Sequence, residues 1–149
     1  MNTQQNQKVL EFPQIQSIAS VNLRENIERA LNFLDEENVD VGLFLLSKEF
    51  EATLKICLIV AQSKGILQTT PGPDPDKWLL ANMVDCATKH RIITDKGVVQ
   101  YLRQERNNRS HGSMPSQAER KILMENINYL AGLYIGYIEM LEKRLDTYK

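Results

Sequence analysis

The residues best suited to chemistry lie in one short stretch, Tyr101-Leu-Arg-Gln-Glu-Arg-Asn-Asn-Arg-Ser-His111. Its histidine, His111, carries an imidazole, the side chain that can accept or donate a proton near neutral pH. Three arginines precede it, and a guanidinium keeps its charge and can contact two phosphate oxygens at once. Residues of these types can hold a phosphodiester while the histidine moves a proton. The stretch is therefore the candidate site, with Arg103, Arg106 and Arg109 as its cations.

The spacing of Arg106 and His111 restricts how the two side chains can meet. They are five residues apart, so on a regular helix they would differ by about 140° and would not share a face. They converge only if the helix is ending there, and Gly112 makes such an exit easy. Asn107 could orient either side chain by hydrogen bonding. The same residues also fit an ordinary solvated helix terminus, whose arginines neutralise the helix dipole.

Apolar residues recur at intervals of three and four along most of the chain, which is typical of amphipathic helices. Period-two alternation is not sustained anywhere, so we predict an all-α fold, an antiparallel helical bundle of four to five helices. Gly65 is placed to end the second helix, and Ser116 with Glu119 forms a capping box at the start of the last. The predicted helices span residues 22–37, 40–64, 74–89, 98–110 and 116–145.

The chain of 149 residues is long enough for one core. We predict a single domain over residues 20–149. Residues 1–19 are rich in Gln and Asn and contain Pro13, which indicates a flexible polar arm with one short packed turn at Ile15 and Ile18.

Composition excludes several classes of site. With 18 basic and 19 acidic residues the net charge is -1, so any nucleic-acid contact must be local. Cys57 and Cys86 match neither a zinc spacing nor a disulfide framework and are interpreted as reduced core residues. His90 is interpreted as a solvated helix cap. We expect no metal and no cofactor, and a cytoplasmic protein without membrane contact, because the N-terminus lacks a secretory signal and no apolar run reaches about 20 residues.

The arrangement Arg106-Asn107-x-x-x-His111 at the end of a helix, followed by one long amphipathic helix, resembles the HEPN superfamily. The motif of that superfamily is an arginine, commonly followed by a polar residue, with a histidine four to six residues further on. The resemblance extends over roughly residues 20–146. It includes the long second helix with Phe50-Glu51-Ala52-Thr53-Leu54-Lys55 and a variable loop before the motif helix.

This resemblance implies a metal-independent endoribonuclease that works as a homodimer, often in prokaryotic defence or toxin systems and with a regulatory partner protein. Two motifs would meet across the dimer interface, and the RNA 2'-hydroxyl would attack the adjacent phosphorus to give a 2',3'-cyclic phosphate. His111 would then transfer the proton, Arg106 would stabilise charge on the phosphate, and Asn107 would position them. Arg103 and Arg109 would be secondary RNA contacts.

Two alternatives remain open at this point. Some HEPN domains are non-catalytic modules that bind RNA, a nucleotide or a protein, and an unrelated helical interaction protein would share the helical pattern. One toxin subgroup carries a tyrosine two residues after the histidine, where its antitoxin modifies it. This chain has Ser113 there, so that mode of regulation is not expected.

Overall fold

The computed structural model describes residues 12–110 and 114–149, with the side chains of residues 106–110 left out of the description. Within these ranges all regular structure is helical and no strand occurs, which confirms the predicted all-α helical bundle. The α-helices are α1 (Val21–Leu31), α2 (Val39–Ser63), α3 (Leu80–Lys89), α4 (Lys96–Ser110), α5 (Gln117–Glu125) and α6 (Ile127–Tyr148). Two short 3₁₀ turns cover Pro13–Ser17 and Pro75–Lys77.

The two longest helices, α2 and α6, form the centre of the bundle and pack most extensively against each other. Their apolar stripes are fully buried because each helix covers the other. The ring of Phe50 in α2 lies against two tyrosines of α6, with ring centroids 6.3 Å away at Tyr134 and 6.2 Å away at Tyr137. The remaining helices pack around this pair.

Two predicted helix signals have the expected geometry. Gly65 follows α2 with a positive φ of 73°, and the amides of Gly65 and Ile66 donate to the carbonyls of Gln62 and Ala61. Glycine forms this pattern most easily, because the residue after the helix end must take a left-handed backbone conformation. At α5 the hydroxyl of Ser116 accepts the amide of Glu119, and the Glu119 carboxylate accepts the amide of Ser116 in return.

The first helix differs from the prediction at both ends. The predicted helix begins at residue 22, whereas the observed helix is capped by Ser20, whose hydroxyl accepts the amide of Leu23 at 3.2 Å. The helix ends at Leu31 because Asp35 forms a local turn instead, with its carboxylate accepting the amides of Glu37 and Asn38. Short carboxylate side chains commonly compete with helix in this way.

The third predicted helix is interrupted near its start. Asp74 caps as expected, with its carboxylate accepting the amide of Asp76, but the 3₁₀ turn that follows stops at Lys77. The indole nitrogen of Trp78 donates to the carbonyl of Gly72 at 2.8 Å, and the backbone at Trp78 is extended. This bond holds the connector against α3, so the regular helix begins only at Leu80.

The last predicted helix is divided into α5 and α6 at Asn126. The Asn126 side chain donates to the carbonyl of Ile122 at 2.9 Å, and its backbone leaves the helical region at φ -107° and ψ 12°. Side-chain amides that bond the preceding turn compete with the helical ladder. The break explains why the described chain has one α-helix more than the four to five expected.

The packed part of the chain begins before residue 20, earlier than the predicted boundary of the domain. Ile15 and Ile18 are buried as the predicted turn requires, and Phe12 joins them in the core. The segment is fixed by Glu142 of α6, whose carboxylate accepts the amides of Ala19 at 2.6 Å and Ser20 at 3.0 Å. The rest of the predicted arm, residues 1–11, lies outside the described residues.

Candidate functional site

The helix that carries the candidate motif, α4, is held in the bundle by its first two turns. Asp95 precedes it and accepts the amide of Val98 at 3.3 Å, which caps the helix start. Val99 and Leu102 are 0% and 1% exposed and anchor α4 in the core. Residue 106 follows Leu102 by four positions, so the backbone of the motif continues the same helical row. The structure therefore places the first part of the motif on a fixed helix.

A buried hydrogen bond joins this helix to the centre of the bundle. The hydroxyl of Tyr134 in α6 donates to the carbonyl of Leu102 at 3.3 Å. Tyr134 is 1% exposed, and its ring also contacts Phe50 of α2. One side chain thus ties α4 to both central helices, one turn before the motif begins.

The chain after the motif is anchored as well. The capping box of Ser116 and Glu119 starts α5, and Arg120 forms a partly buried ion pair with Asp40 of α2. The Arg120 Nε atom lies 3.6 Å from Asp40 Oδ1. Fixed structure therefore stands on both sides of the segment that spans Arg106 to Ser113.

The structure describes one of the five candidate site residues in full. Arg103 is half-buried, and its Nε atom donates to the Gln100 side chain at 2.8 Å, within the same helix. The backbone of Arg106, Asn107 and Arg109 lies in α4, but the placement of their side chains falls outside the description. His111 and Ser113 lie outside the described residues altogether.

Sequence reasoning did not identify the side chains that surround this helix. Tyr134 is 32 residues away from Leu102, and neither the spacing nor the residue type indicated that they would meet.

His90 differs from its interpretation as a solvated cap. It does follow the last residue of α3, but its ring is half-buried between two hydrogen bonds. The amide of Gln68 donates to Nε2 at 3.0 Å, and Nδ1 lies 2.8 Å from the carbonyl of Cys86. A helix end cap would need neither contact, so this histidine joins the connector to α3.

Both cysteines are buried and unpaired, as the sequence predicted. Burial raises the pKa of the Cys57 thiol to about 11, although the charge of Arg144 acts in the opposite direction. Burial likewise raises the pKa of the Cys86 thiol, against a smaller effect of Lys89. Neither is a suitable nucleophile, because nucleophilic cysteines need a lowered pKa.

In the part of the chain that the structure covers, His, Cys, Asp and Glu side chains form no group of three that could hold a metal ion. The same part contains no helix that combines the length and the apolar character needed to cross a bilayer.

The chain was compared with protein-family models, curated proteins and solved structures, and none of the three comparisons finds a significant match. The resemblance to the HEPN superfamily therefore depends on the motif residues and on the helical arrangement of this chain alone.

Proposed function

We propose that the chain is a metal-independent endoribonuclease of the HEPN type, with Arg106, Asn107 and His111 as its catalytic residues. The observation that carries the proposal is the position of the motif on an all-helical bundle. It begins in the final turns of α4, which Val99, Leu102 and the Tyr134 hydrogen bond fix, and the long helix α6 follows soon after it. The resemblance leads one to expect one long helix after the motif, and here the short helix α5 stands between the motif and α6.

The proposed reaction transfers a phosphoryl group within the RNA. The 2'-hydroxyl loses its proton and forms a new bond to phosphorus, the bond to the 5'-oxygen breaks, and that oxygen takes up a proton. His111 moves the protons. Arg106 stabilises the charge that develops on the phosphate oxygens, and Asn107 orients the pair by hydrogen bonding. The products are a 2',3'-cyclic phosphate and a 5'-hydroxyl end.

A homodimer would give this chemistry the groups that one motif lacks. A single imidazole has to both remove and deliver a proton, whereas a two-fold interface brings two copies of His111 and Arg106 to one cleft. Arg103 and Arg109 would then neutralise flanking phosphates. A prokaryotic defence or toxin context and a regulatory partner protein belong to the same proposal.

The test uses purified protein and a labelled single-stranded RNA in buffer with EDTA. We expect cleavage to shorter products that end in a 2',3'-cyclic phosphate, identified by mass spectrometry. A matched RNA with 2'-O-methyl groups must stay intact, because it lacks the attacking hydroxyl. Cleavage of the methylated RNA, or cleavage only after a divalent metal is added, would contradict the mechanism. Light scattering at micromolar concentration measures the oligomeric state. A monomer under these conditions would contradict the proposed cleft between two copies.

The second candidate function is a module that binds RNA, a nucleotide or a protein without cleaving. The net charge of -1 supplies no general attraction for a polyanion, so contact with RNA would depend on a few arginines. If no RNA is cleaved under any of these conditions while RNA still binds, this second function replaces the first.

A further inference from the structure

The outward face of α2 carries an apolar stripe along the second half of the helix. Ile56 and Ile59 are 51% and 38% exposed, and the small exposed residues Ala52 and Ser63 continue the same row on either side of them. Residues three and four apart lie on one face of a helix. The stretch from Ile56 to Ala61 is apolar throughout. Helices that are apolar all round are normally buried on every side, so this face indicates a partner.

The helices that the structure describes leave this stripe open. α1 lies close to the first half of α2, where a Cβ atom at Gly42 would stand 3.0 Å from the carbonyl oxygen of Ala30. Because α1 has 11 residues and α2 has 25, α1 covers only part of this face. Its beginning, at Leu23, lines a groove of about 590 Å³ beside Ala52 and Ile56.

The charged side chains of α2 indicate what kind of partner fits. Those on its other sides are paired within the chain, as Asp40 with Arg120, Lys48 with Glu51, and Lys55 with Asp76. Glu49 and Lys64 flank the stripe beyond Ala52 and Ser63, and neither has an ion-pair partner in the part of the chain that the structure describes. By helical geometry both lie to the same side of the stripe. A surface with a carboxylate at one end and an ammonium group at the other is complementary to an antiparallel copy of itself.

We propose that the α2 stripe binds a second copy of this chain, with the two α2 helices antiparallel across a two-fold axis. Ile56 of each copy packs against Ile59 of the other, and Ala52 faces Ser63. These small side chains let the two backbones approach. Glu49 of each copy meets Lys64 of the other. Burial of the isoleucines drives the association, and the charges select its orientation.

This surface is separate from the cleft that the proposed ribonuclease requires. Arg120 belongs to α5, the first helix after the motif, and pairs with Asp40 at the start of α2. Ile59 follows Asp40 by 19 positions, which is about 28 Å along the helix axis. The α2 interface therefore does not depend on the proposed function, and it would join dimers formed through the motif into larger assemblies.

A disulfide between copies tests the arrangement. In the double variant Ala52→Cys with Ser63→Cys, the two positions face each other across the proposed interface. Within one helix they lie about 16 Å apart, too far for a disulfide. In either single variant the two equivalent positions of the dimer are also about 16 Å apart. The native thiols Cys57 and Cys86 are buried and stay in all proteins.

Under mild oxidation we expect the double variant to form a covalent dimer at least about tenfold faster than either single variant, because the interface raises the effective thiol concentration. Peptide mapping must show position 52 joined to position 63. Adding Ile59→Asp should slow the reaction about tenfold. Val41→Asp places the same charge on an apolar residue of α2 that is 41% exposed and outside the contact, so it should leave the rate unchanged. Equal rates in the double and single variants would overturn the proposal.

Charge reversal tests the second copy without new thiols. Glu49→Lys alone and Lys64→Glu alone each bring like charges together at both ends, so each protein should self-associate about tenfold more weakly than wild type. An equimolar mixture of the two variants restores both opposite pairs and should associate like wild type. A pair within one chain cannot explain such a rescue, since Glu49 and Lys64 lie about 22 Å apart along the helix.

Sedimentation at low salt measures this association, and circular dichroism confirms that both variants are folded. The motif is unchanged in every sample, so any association through it contributes equally to all of them. A mixture that associates as weakly as the single variants would contradict the proposed interface. Neither experiment involves RNA, so this proposal and the proposed ribonuclease activity can fail separately.

Discussion

The backbone amide of Gln68 donates a hydrogen bond to Nε2 of His90 at 3.0 Å. An amide N–H can only donate, so Nε2 is the acceptor of this bond. On the other side of the ring, Nδ1 lies 2.8 Å from the carbonyl oxygen of Cys86. His90 thus ties the connector after α2 to the end of α3.

This arrangement predicts the effect of removing the ring. His90→Ala leaves the Gln68 amide and the Cys86 carbonyl without this partner, so we expect a loss of about 1–3 kcal/mol in the free energy of unfolding. Lys89→Ala, an exposed neighbour, should change it by no more than about 0.5 kcal/mol. Urea unfolding followed by circular dichroism measures both. Equal effects of the two variants would show that the ring is not a structural link.

Glu142 carries a second prediction. Its carboxylate, 8% exposed, accepts the amides of Ala19 and Ser20 and so holds the start of α1 on α6. Glu142→Gln keeps the shape but turns one acceptor into a donor, so we expect a loss of about 2 kcal/mol in the free energy of unfolding, the usual size for charge-assisted hydrogen bonds.

The control for this variant is Glu139→Gln on the same helix. Glu139 pairs with Lys143, at 2.7 Å, and exposed pairs of this kind contribute about 0.5 kcal/mol. Chemical denaturation of both variants under one condition makes the comparison. A Glu142→Gln protein as stable as Glu139→Gln would contradict the role assigned to the carboxylate.

The buried thiols make a prediction about pH. Because burial raises the pKa of Cys57 to about 11 and raises that of Cys86 as well, neither thiol should react with an aromatic disulfide reagent at pH 8 until urea unfolds the chain. The Cys57 thiol keeps its proton up to a higher pH in the folded chain than in the unfolded chain. Its contribution to stability is therefore complete below about pH 9 and is lost as the pH rises towards 11.

Cys57→Ala serves as the control for that pH window. Between pH 9 and pH 11 the free energy of unfolding of the wild type should fall by about 2 kcal/mol more than that of this variant, because most of the difference between the folded and unfolded pKa takes effect in that interval. Identical pH profiles of the two proteins would exclude a protonation change at Cys57.

Under the proposed function, the motif variants separate catalysis from folding. His111→Ala and Arg106→Ala should each lower the single-turnover rate of RNA cleavage by about a hundredfold or more, since general acid-base and electrostatic contributions are commonly of that size. The helical spectrum and the melting temperature should stay close to wild type. A His111→Ala protein that cleaves as well as wild type would eliminate the mechanism.

Arg109→Ala should affect binding more than chemistry. An arginine that only neutralises a phosphate changes the affinity for RNA and lowers the slope of log affinity against log salt by about one, while the rate in the bound complex changes little. A salt titration of binding, together with cleavage at saturating protein, distinguishes the two effects. A large fall in the bound rate would instead make Arg109 part of the catalytic group.

The sequence predicted a helix end correctly where the conformation or the capping bond of one or two local residues determines that end. Gly65 ends α2 because only a left-handed residue fits there, and Ser116 with Glu119 starts α5 by reciprocal hydrogen bonds. Prediction was wrong where a hydrogen bond from a side chain to a nearby carbonyl interrupts the helix that the apolar pattern indicates. Trp78 bonds to Gly72 and thereby delays α3, and the Asn126 side chain divides the last helix.

At the candidate site, too, the sequence predicted the helix but not the contacts between distant residues. The sequence predicted a fourth helix over residues 98–110, and α4, Lys96–Ser110, includes the backbone of Arg106. The hydrogen bond from Tyr134 to Leu102 and the ring position of His90 depend on pairs that are far apart in sequence or on a bend in a connector. No spacing rule contains that information.

The anchors on both sides of the motif also imply that the chain between them can be lengthened at small cost in stability. Tyr134 holds α4 at Leu102, and the capping box restarts regular structure at Ser116. For a segment closed between fixed ends, doubling its length costs only about 0.6 kcal/mol of chain entropy. An inserted glycine-serine pair after Ser110 would thus leave stability nearly untouched, so a change in activity would report the geometry of the motif itself.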